Sequence, residues 1–419
     1  MIVTTILFLV GYLIITLEHP LKIEKAAVAL VTGGLCWAWL SLSGNTGGID
    51  NLLEHHLVEI SSIVFFLLAA MTIVEVIESF DGFHLITKRL GFSNKRLLLV
   101  VIGLITFFLS AVLDNLATAL VMLAVTAKRL PEGEDRLLFS GMIVVAANAG
   151  GAFSPIGDVT TTMLWIGGQL TFPRVVQALF LPSLISFLVP LALVAGRLKG
   201  KLEPAVEVTP VSAVPGRNLV FVVGAGFLIA VPLLKTWLHV PPYLSLLTGL
   251  GFLWIITEIL GRGKLRYVDR RPTLPSALKK IDLPSILFFI GILIAVAALD
   301  DAGVLSVLAS TLVSWLVNPA LIAAFLGVLS SVFDNVPLVA GAARMFPLTQ
   351  FATDTPFWHW LAFTAGTGGS LLVIGSAAGI TAMGFSNLRF GWYARRIGLP
   401  ALAGYLAGLA MLLLQIFIH

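Results

Sequence analysis

The chain has 419 residues, 58% of them hydrophobic and 11% charged, with a mean hydropathy of +1.00; soluble domains carry about 25% charged residues, so an ordinary soluble enzyme or binding module is excluded. The net charge of +4 does not point to nucleic acid, because the basic residues fall in the breaks between apolar runs, where they set membrane topology. A single cysteine, Cys36, lies in an apolar run and excludes a disulfide or cysteine-based metal framework.

Apolar runs of about 17 to 25 residues recur from end to end and leave no room for a soluble domain, so the fold class is an all-α polytopic membrane protein. The first run, Ile2 to Leu17, lacks a basic leader and a small-residue cleavage site and reads as a retained span. Spans at 24–43 and 59–78 follow, then an interfacial stretch with Lys88, Arg89, Lys95 and Arg96. Residues 97–127 are apolar around Asp114-Asn115, yet both flanks are basic, with Lys128, Arg129 and Arg136 on the far side. A re-entrant hairpin that starts and ends on one membrane side explains this better than a crossing. Residues 137–170 are too long for a simple span and are interrupted by Asn148, Gly150, Gly151, Ser154, Pro155, Gly157 and Asp158, the pattern of a broken helix. A span at 179–196 leads into a polar linker, 197–217.

The second half repeats the plan: spans near 218–234, 242–261 and 283–299, a hairpin at 318–346, a broken span at 357–384 and a last span at 400–418. Local matches support a duplication. Ser110-Ala111-Val112-Leu113-Asp114-Asn115 returns as Ser330-Ser331-Val332-Phe333-Asp334-Asn335, Gly150-Gly151 as Gly368-Gly369, Ile156-Gly157 as Ile374-Gly375, and Ser62 to Phe66 as Ser285 to Phe289. With the N-terminus outside and each hairpin returning to its own side, 23 of the 26 Lys and Arg are cytoplasmic, all but Arg174, Lys235 and Arg344. Each repeat then has five crossings, one of them broken, plus one hairpin. Five is odd, so the copies are inverted. The expected plan is a first repeat at 1–196, a cytoplasmic linker at 197–217 and a second repeat at 218–419, with about ten crossings, two hairpins and both termini outside.

Non-helical backbone is tolerated at membrane depth only where it is buried in protein or lines a watery cavity, so each broken helix marks a cavity. Hard cations take oxygen ligands from Asp, Asn, Ser, Thr and freed carbonyls. The first repeat offers Asp114, Asn115, Asn148, Ser154, Asp158 and the run Thr160, Thr161, Thr162; the second offers Asp334, Asn335, Thr367, Ser370 and Ser376. Charge separates the copies, because Ser376 stands where Asp158 aligns. Two carboxylates in a poorly hydrated site let protons and cations compete for the same groups, which suffices for exchange.

Plainer readings stand beside these. Asp114 and Asp334 are in position to N-cap hairpin helices, and the threonines to bond their own helix backbone. Glu59, Glu75 and Glu78 lie at span ends, and Glu59 matches Asp282 as a shared interfacial start. His19, His55, His56 and His84 fall in loops or interfaces, where solvated histidine is the default.

The segments 110–118 (Ser-Ala-Val-Leu-Asp-Asn-Leu-Ala-Thr), 148–162 (Asn-Ala-Gly-Gly-Ala-Phe-Ser-Pro-Ile-Gly-Asp-Val-Thr-Thr-Thr), 334–337 (Asp-Asn-Val-Pro) and 366–370 (Gly-Thr-Gly-Gly-Ser) resemble the NhaD family of sodium/proton antiporters, most specifically at 148–162. The resemblance implies the ion transporter superfamily, with inverted repeats, two re-entrant hairpins and often a homodimer. It implies exchange of Na⁺, and often Li⁺, for protons across a bacterial-type inner membrane or an organelle envelope, with no cofactor beyond the transported ions. The family's polar positions map onto Asp114, Asn115, Asn148, Asp158, Asp334, Asn335 and Ser370, and Na⁺ is expected at Asp114, Asn115, Asn148 and Asp158. The alternatives are a sodium-coupled dicarboxylate or sulfate carrier, or an arsenite exporter, of the same superfamily. Asp at both tips disfavours an anionic substrate by like-charge repulsion. An intramembrane aspartyl hydrolase using Asp114 and Asp158 leaves the second copy unexplained.

Overall fold

In a bilayer every backbone N–H and C=O must be satisfied within the chain, and this chain meets that demand with helices. The computed structural model describes residues 1–43, 49–83, 92–198, 200–201, 214–262, 272–316, 318–331 and 334–418; among them one isolated bridge, Asn94 with Lys201, is the only extended pairing. The chain opens with α1 (Ile2–Thr16), a single turn α2 (Glu18–Leu21), α3 (Lys25–Leu42) and α4 (Ile49–Ser79). Then come α5 (Lys95–Ser110), α6 (Asn115–Arg129), α7 (Glu134–Ala152), α8 (Val159–Ile166) and α9 (Phe172–Arg197). After the linker the chain forms α10 (Arg217–Leu238), α11 (Pro242–Arg262), α12 (Leu274–Leu278), α13 (Leu283–Asp301) and α14 (Val304–Trp315). It ends with α15 (Pro319–Leu329), α16 (Asn335–Met345), α17 (Pro356–Gly368), α18 (Ala377–Ser386), α19 (Phe390–Tyr393) and, beyond a π turn at Ala394–Gly398, α20 (Leu399–Ile418).

Seven helices among the described residues are long and apolar enough to cross a membrane, within α3, α4, α9, α10, α11, α13 and the α19–α20 run. The protein is an integral, multi-pass membrane protein. The interior belongs to two helices that are not among the seven. From Leu138 to Ala152 every residue of α7 is buried, and from Phe357 to Gly368 so is every residue of α17. A helix buried all round lies at the centre of a bundle. Around this centre, α3 and α13 run side by side through small residues, with Ala29 fully buried and Trp37 Nε1 donating to the Ile294 carbonyl at 3.0 Å.

The structure differs from the sequence reading in three places. Helix α4 starts at Ile49, ten residues before the span expected from 59, because Leu52, Leu53 and Leu57 extend its apolar character through the polar His55-His56 pair. A helix occupies Val304–Trp315, between the span expected at 283–299 and the hairpin expected at 318–346, where the sequence reading places no element; it turns sharply into α15, at 117°. His56 is 5% exposed on α4 and hydrogen-bonded, so it is not the solvated histidine that its sequence position suggests. The interfacial residues Lys88 and Arg89, His84 and most of the 197–217 linker lie outside the described residues.

Candidate functional site

The helix breaks meet at the centre, and each is opened by a polar cap. Asp114 closes α6 by accepting the Ala117 N–H at 2.7 Å, and Asp334 closes α16 by accepting the Val336 N–H at 3.2 Å. Asp158 accepts the Thr160 N–H at 3.0 Å at the start of α8, and Ser376 accepts the Gly379 N–H at 3.2 Å at the start of α18. The plain capping reading of the aspartates is therefore realised. A carboxylate has a second oxygen, however, and the three aspartates differ there: that of Asp334 faces Lys25, while that of Asp158 makes no hydrogen bond of good geometry.

The tips are pinned to the buried helices by the same bond in both halves. Ser110 Oγ donates to the Ala147 carbonyl at 2.6 Å, and Ser330 Oγ donates to the Ala365 carbonyl at 2.9 Å. Close backbone approach accompanies each bond. A Cβ at Gly150 would collide with the Phe107 carbonyl, and one at Gly368 with the Gly327 carbonyl.

One amide then links the halves. Asn115 Nδ2 donates to Asn148 Oδ1 at 3.1 Å, and Asn148 Nδ2 donates to both Ser370 Oγ and Ser376 Oγ at 2.9 Å. All four side chains are buried, so the network is paid no attention by solvent and each member depends on the next. Tyr393 Oη supports it from behind by donating to the Ser370 carbonyl at 2.8 Å.

Asp158 lies beside this network and is 1% exposed. Its Oδ2 makes no hydrogen bond of good geometry, and the Thr160 hydroxyl lies beside the carboxylate as its nearest polar side chain on α8. Gly366 of the other half leaves room there, since a Cβ on it would sit 3.4 Å from Asp158 Oδ2. Both Asp114 and Asp334 are within Coulombic reach of Asp158. Asp114 lines a narrow cavity of about 10 Å³, with Val112, Ile156, Val159 and Thr162 among its walls, room for about one water centre.

The other sequence candidates are occupied with the backbone. Ser154 Oγ accepts the Ile156 N–H, Thr161 Oγ1 donates to the Ala152 carbonyl and Thr162 Oγ1 to the Pro155 carbonyl, all within the first break. Thr367 Oγ1 donates to its own helix at Phe363, and Asn335 is buried at the start of α16.

Two features were not foreseen from the sequence. Lys25 Nζ lies 3.5 Å from Asp334 Oδ2. Farther along α16, Arg344 pairs with Glu59 at 2.9 Å and Asp300 at 3.3 Å and contacts His56 Nδ1 at 2.8 Å, while His56 Nε2 faces Asp301 at 3.1 Å. The one available signal was Arg344 itself, a cation inside a predicted membrane hairpin, which calls for an acidic partner.

Known proteins match this chain along most of its length. The family model described as "Citrate transporter" matches residues 10–366. The chain is 44% identical over 409 residues to "Sodium/proton antiporter 1" of Arabidopsis thaliana, covering 97% of this chain and 71% of that protein. It is 43% identical over 411 residues to "Sodium/proton antiporter 2" of the same plant, covering 96% and 97%. It is 32% identical over 439 residues to "Na(+)/H(+) antiporter NhaD" of Alkalimonas amylolytica, covering 97% and 88%. With a buried acidic centre between two helix breaks and relatives of this kind across nearly its whole length, the chain belongs to the NhaD-type sodium/proton antiporter family, within the reach of the citrate transporter family model.

Proposed function

We propose that the protein is a secondary transporter that exchanges Na⁺, or Li⁺, for H⁺ by alternating access. The observation that carries this reading is Asp158, a carboxylate buried at a helix break with one oxygen making no hydrogen bond of good geometry and the amide network of Asn115 and Asn148 alongside. A buried carboxylate without a compensating group costs several kcal/mol, a cost that either a proton or a cation removes. The two cannot be bound to the same oxygen together, so loading one releases the other. Asp114, Asn115, Asn148 and Asp158 are the proposed Na⁺ site, with Ser370 and Ser376 holding Asn148 in register.

The proposed architecture is the inverted pair of five crossings and a re-entrant hairpin, at 1–196 and 218–419, with a cytoplasmic linker and both termini outside. It is supported by the loop charge distribution, by the paired Ser110 and Ser330 bonds and by the four matching caps. The broken central helices would then form the wall against which the tips move.

The test uses the purified full chain in proteoliposomes with an imposed pH gradient. Na⁺ or Li⁺ should dissipate the gradient, and Asp158→Asn should not. A gradient indifferent to both cations, with labelled citrate, succinate or arsenite moving instead, would replace this reading by that of a carrier for those substrates.

A further inference from the structure

The two hairpin tips share a sequence motif and a capping geometry, but among the described residues only the Asp334 tip faces a built-in cation. Lys25, the first residue of α3, extends its ammonium to 3.5 Å from Asp334 Oδ2, and the side chains of both are only 17% exposed. The ammonium also lies 4.5 Å from the centre of the Phe288 ring on α13, on whose face a cation is stabilised. Its backbone N–H donates to Glu18 Oε1 at 3.4 Å, which ties the start of α3 to the preceding turn. Tyr12 of α1 meets the backbone of Asp334 on the same side. Three elements thus converge on this tip.

Nothing equivalent stands at Asp114. Among the described residues no Lys, Arg or His pairs with it, and its surroundings in the narrow cavity are Phe66, Leu67, Val112 and Leu228. In the repeat, the start of α3 corresponds to the start of α11, where Pro241, Pro242 and Tyr243 offer no cation. The nearest basic residue before them, Lys235, is turned away, donating to the Trp165 carbonyl at 2.7 Å over that indole ring.

We infer that Lys25 is a tethered counter-cation that permanently fills the cation position of the Asp334 tip, so that the protein has one exchanging centre, at Asp114 and Asp158, and one that is neutralised from within. This deepens the exchange reading of the preceding subsection and rests on it. An ammonium is a compact point charge that matches a monovalent cation in charge, and its stem lets it follow a moving tip without leaving the carboxylate. Lys25 is thus a positioning residue. It keeps α16 attached to α3 and stops Asp334 from competing with Asp158 for the transported ion.

The experiment compares Lys25→Arg, Lys25→Met, Asp334→Asn and the double variant Lys25→Met/Asp334→Asn in proteoliposomes, each alongside the wild-type protein. Lys25→Met, which strands a half-buried carboxylate, should lower the Na⁺-dependent rate about tenfold or more. Lys25→Arg should stay within about threefold, because a cation remains beside the carboxylate. The double variant should recover to within about threefold of wild type, with an unchanged KM for Na⁺, because both charges leave together. The melting temperature supplies a second readout independent of transport: Na⁺, against choline at equal ionic strength, should raise it more for Lys25→Met, which gains a second place to load the ion, than for the wild type or the double variant, which load only the Asp158 centre. A double variant as inactive as Lys25→Met, or an Asp334→Asn change in the double variant that shifts the Na⁺ KM, overturns the inference, as does a Lys25→Met protein indistinguishable from wild type. Absence of cation-dependent transport in the wild type itself would reject the exchange reading instead, while the melting series still decides the role of Lys25.

Discussion

The Asp114 and Asp334 tips are the same device with different loading. Each is a helix start capped by aspartate, each follows a serine bonded to a carbonyl of a buried helix, and each is met by a glycine that permits backbone contact. Both lie within Coulombic reach of Asp158, but they differ in the cation beside them: Lys25 faces the second oxygen of Asp334, whereas Asp114 lines a small cavity and, among the described residues, pairs with no cation. Like backbones recur at the two tips because caps and close glycines are local devices. Asymmetry of function then needs only a few side chains, here Asp158 against Ser376 and Lys25 against Pro242.

The comparison can be broken most forcefully at Asp158. Asp158→Asn should lower the Na⁺-dependent rate by about a hundredfold or more, since it removes the exchangeable charge, whereas Ser376→Ala at the matching cap should cost about tenfold at most. The readout is gradient dissipation in proteoliposomes. Asp114→Asn should fall about tenfold or more even when combined with Lys25→Met, unlike Asp334→Asn, because no internal cation is freed by its loss. If the acidic centre is a shared proton and Na⁺ site, the KM for Na⁺ should rise by up to about tenfold for each pH unit on the acid side, by simple mass action, while the rate at saturating Na⁺ changes less; a pH-independent KM would separate the two sites. Asn148→Ala should strand Asn115 and the two serines, costing about 1–3 kcal/mol for each buried group left unpaired, visible as a lower melting temperature. Gly150→Ala and Gly368→Ala should destabilise by similar amounts, about 1–3 kcal/mol of overpacking. A large disparity between them would show that the tips are not packed alike.

Much of this was legible in the sequence because it is written in polar residues where none are expected. Asp114-Asn115 and Asp334-Asn335 stand out against apolar runs, and the Gly-Gly and Ser-Pro interruptions locate the breaks of α7 and α17. The partner of each group was harder to read. Asn148 sits among alanines, and nothing local says that its amide reaches Ser370 and Ser376 more than 200 residues away. Lys25 reads as an ordinary topology-setting charge at a span end, and its role appears only when a segment 309 residues on is folded against it. His56 was misjudged for the same reason: its burial is made by Arg344 and Asp301, not by its own neighbours. The helix at Val304–Trp315 escaped because its twelve residues, eight apolar and four Ser or Thr, are too short to stand out as a separate element between a predicted span and a predicted hairpin.

The ion pairs of Arg344 have a mechanical side. Helix α16 is fastened at one end by Lys25 to α3 and at the other by Arg344 to α4 and α13, which makes it a strut with two pins. Any movement that draws it away from α4 must part Arg344 from Glu59, and any movement that draws it from α3 must part Asp334 from Lys25. Exposed pairs such as Arg344 with Glu59 are worth at most about 1 kcal/mol and weaken in salt, so Glu59→Gln should change the melting temperature little. Of the contacts that hold this strut, the Arg344–Glu59 arm reaches farthest into solvent, so it is the one that high ionic strength loosens most, while Asp300, His56 and Lys25 keep the helix in place.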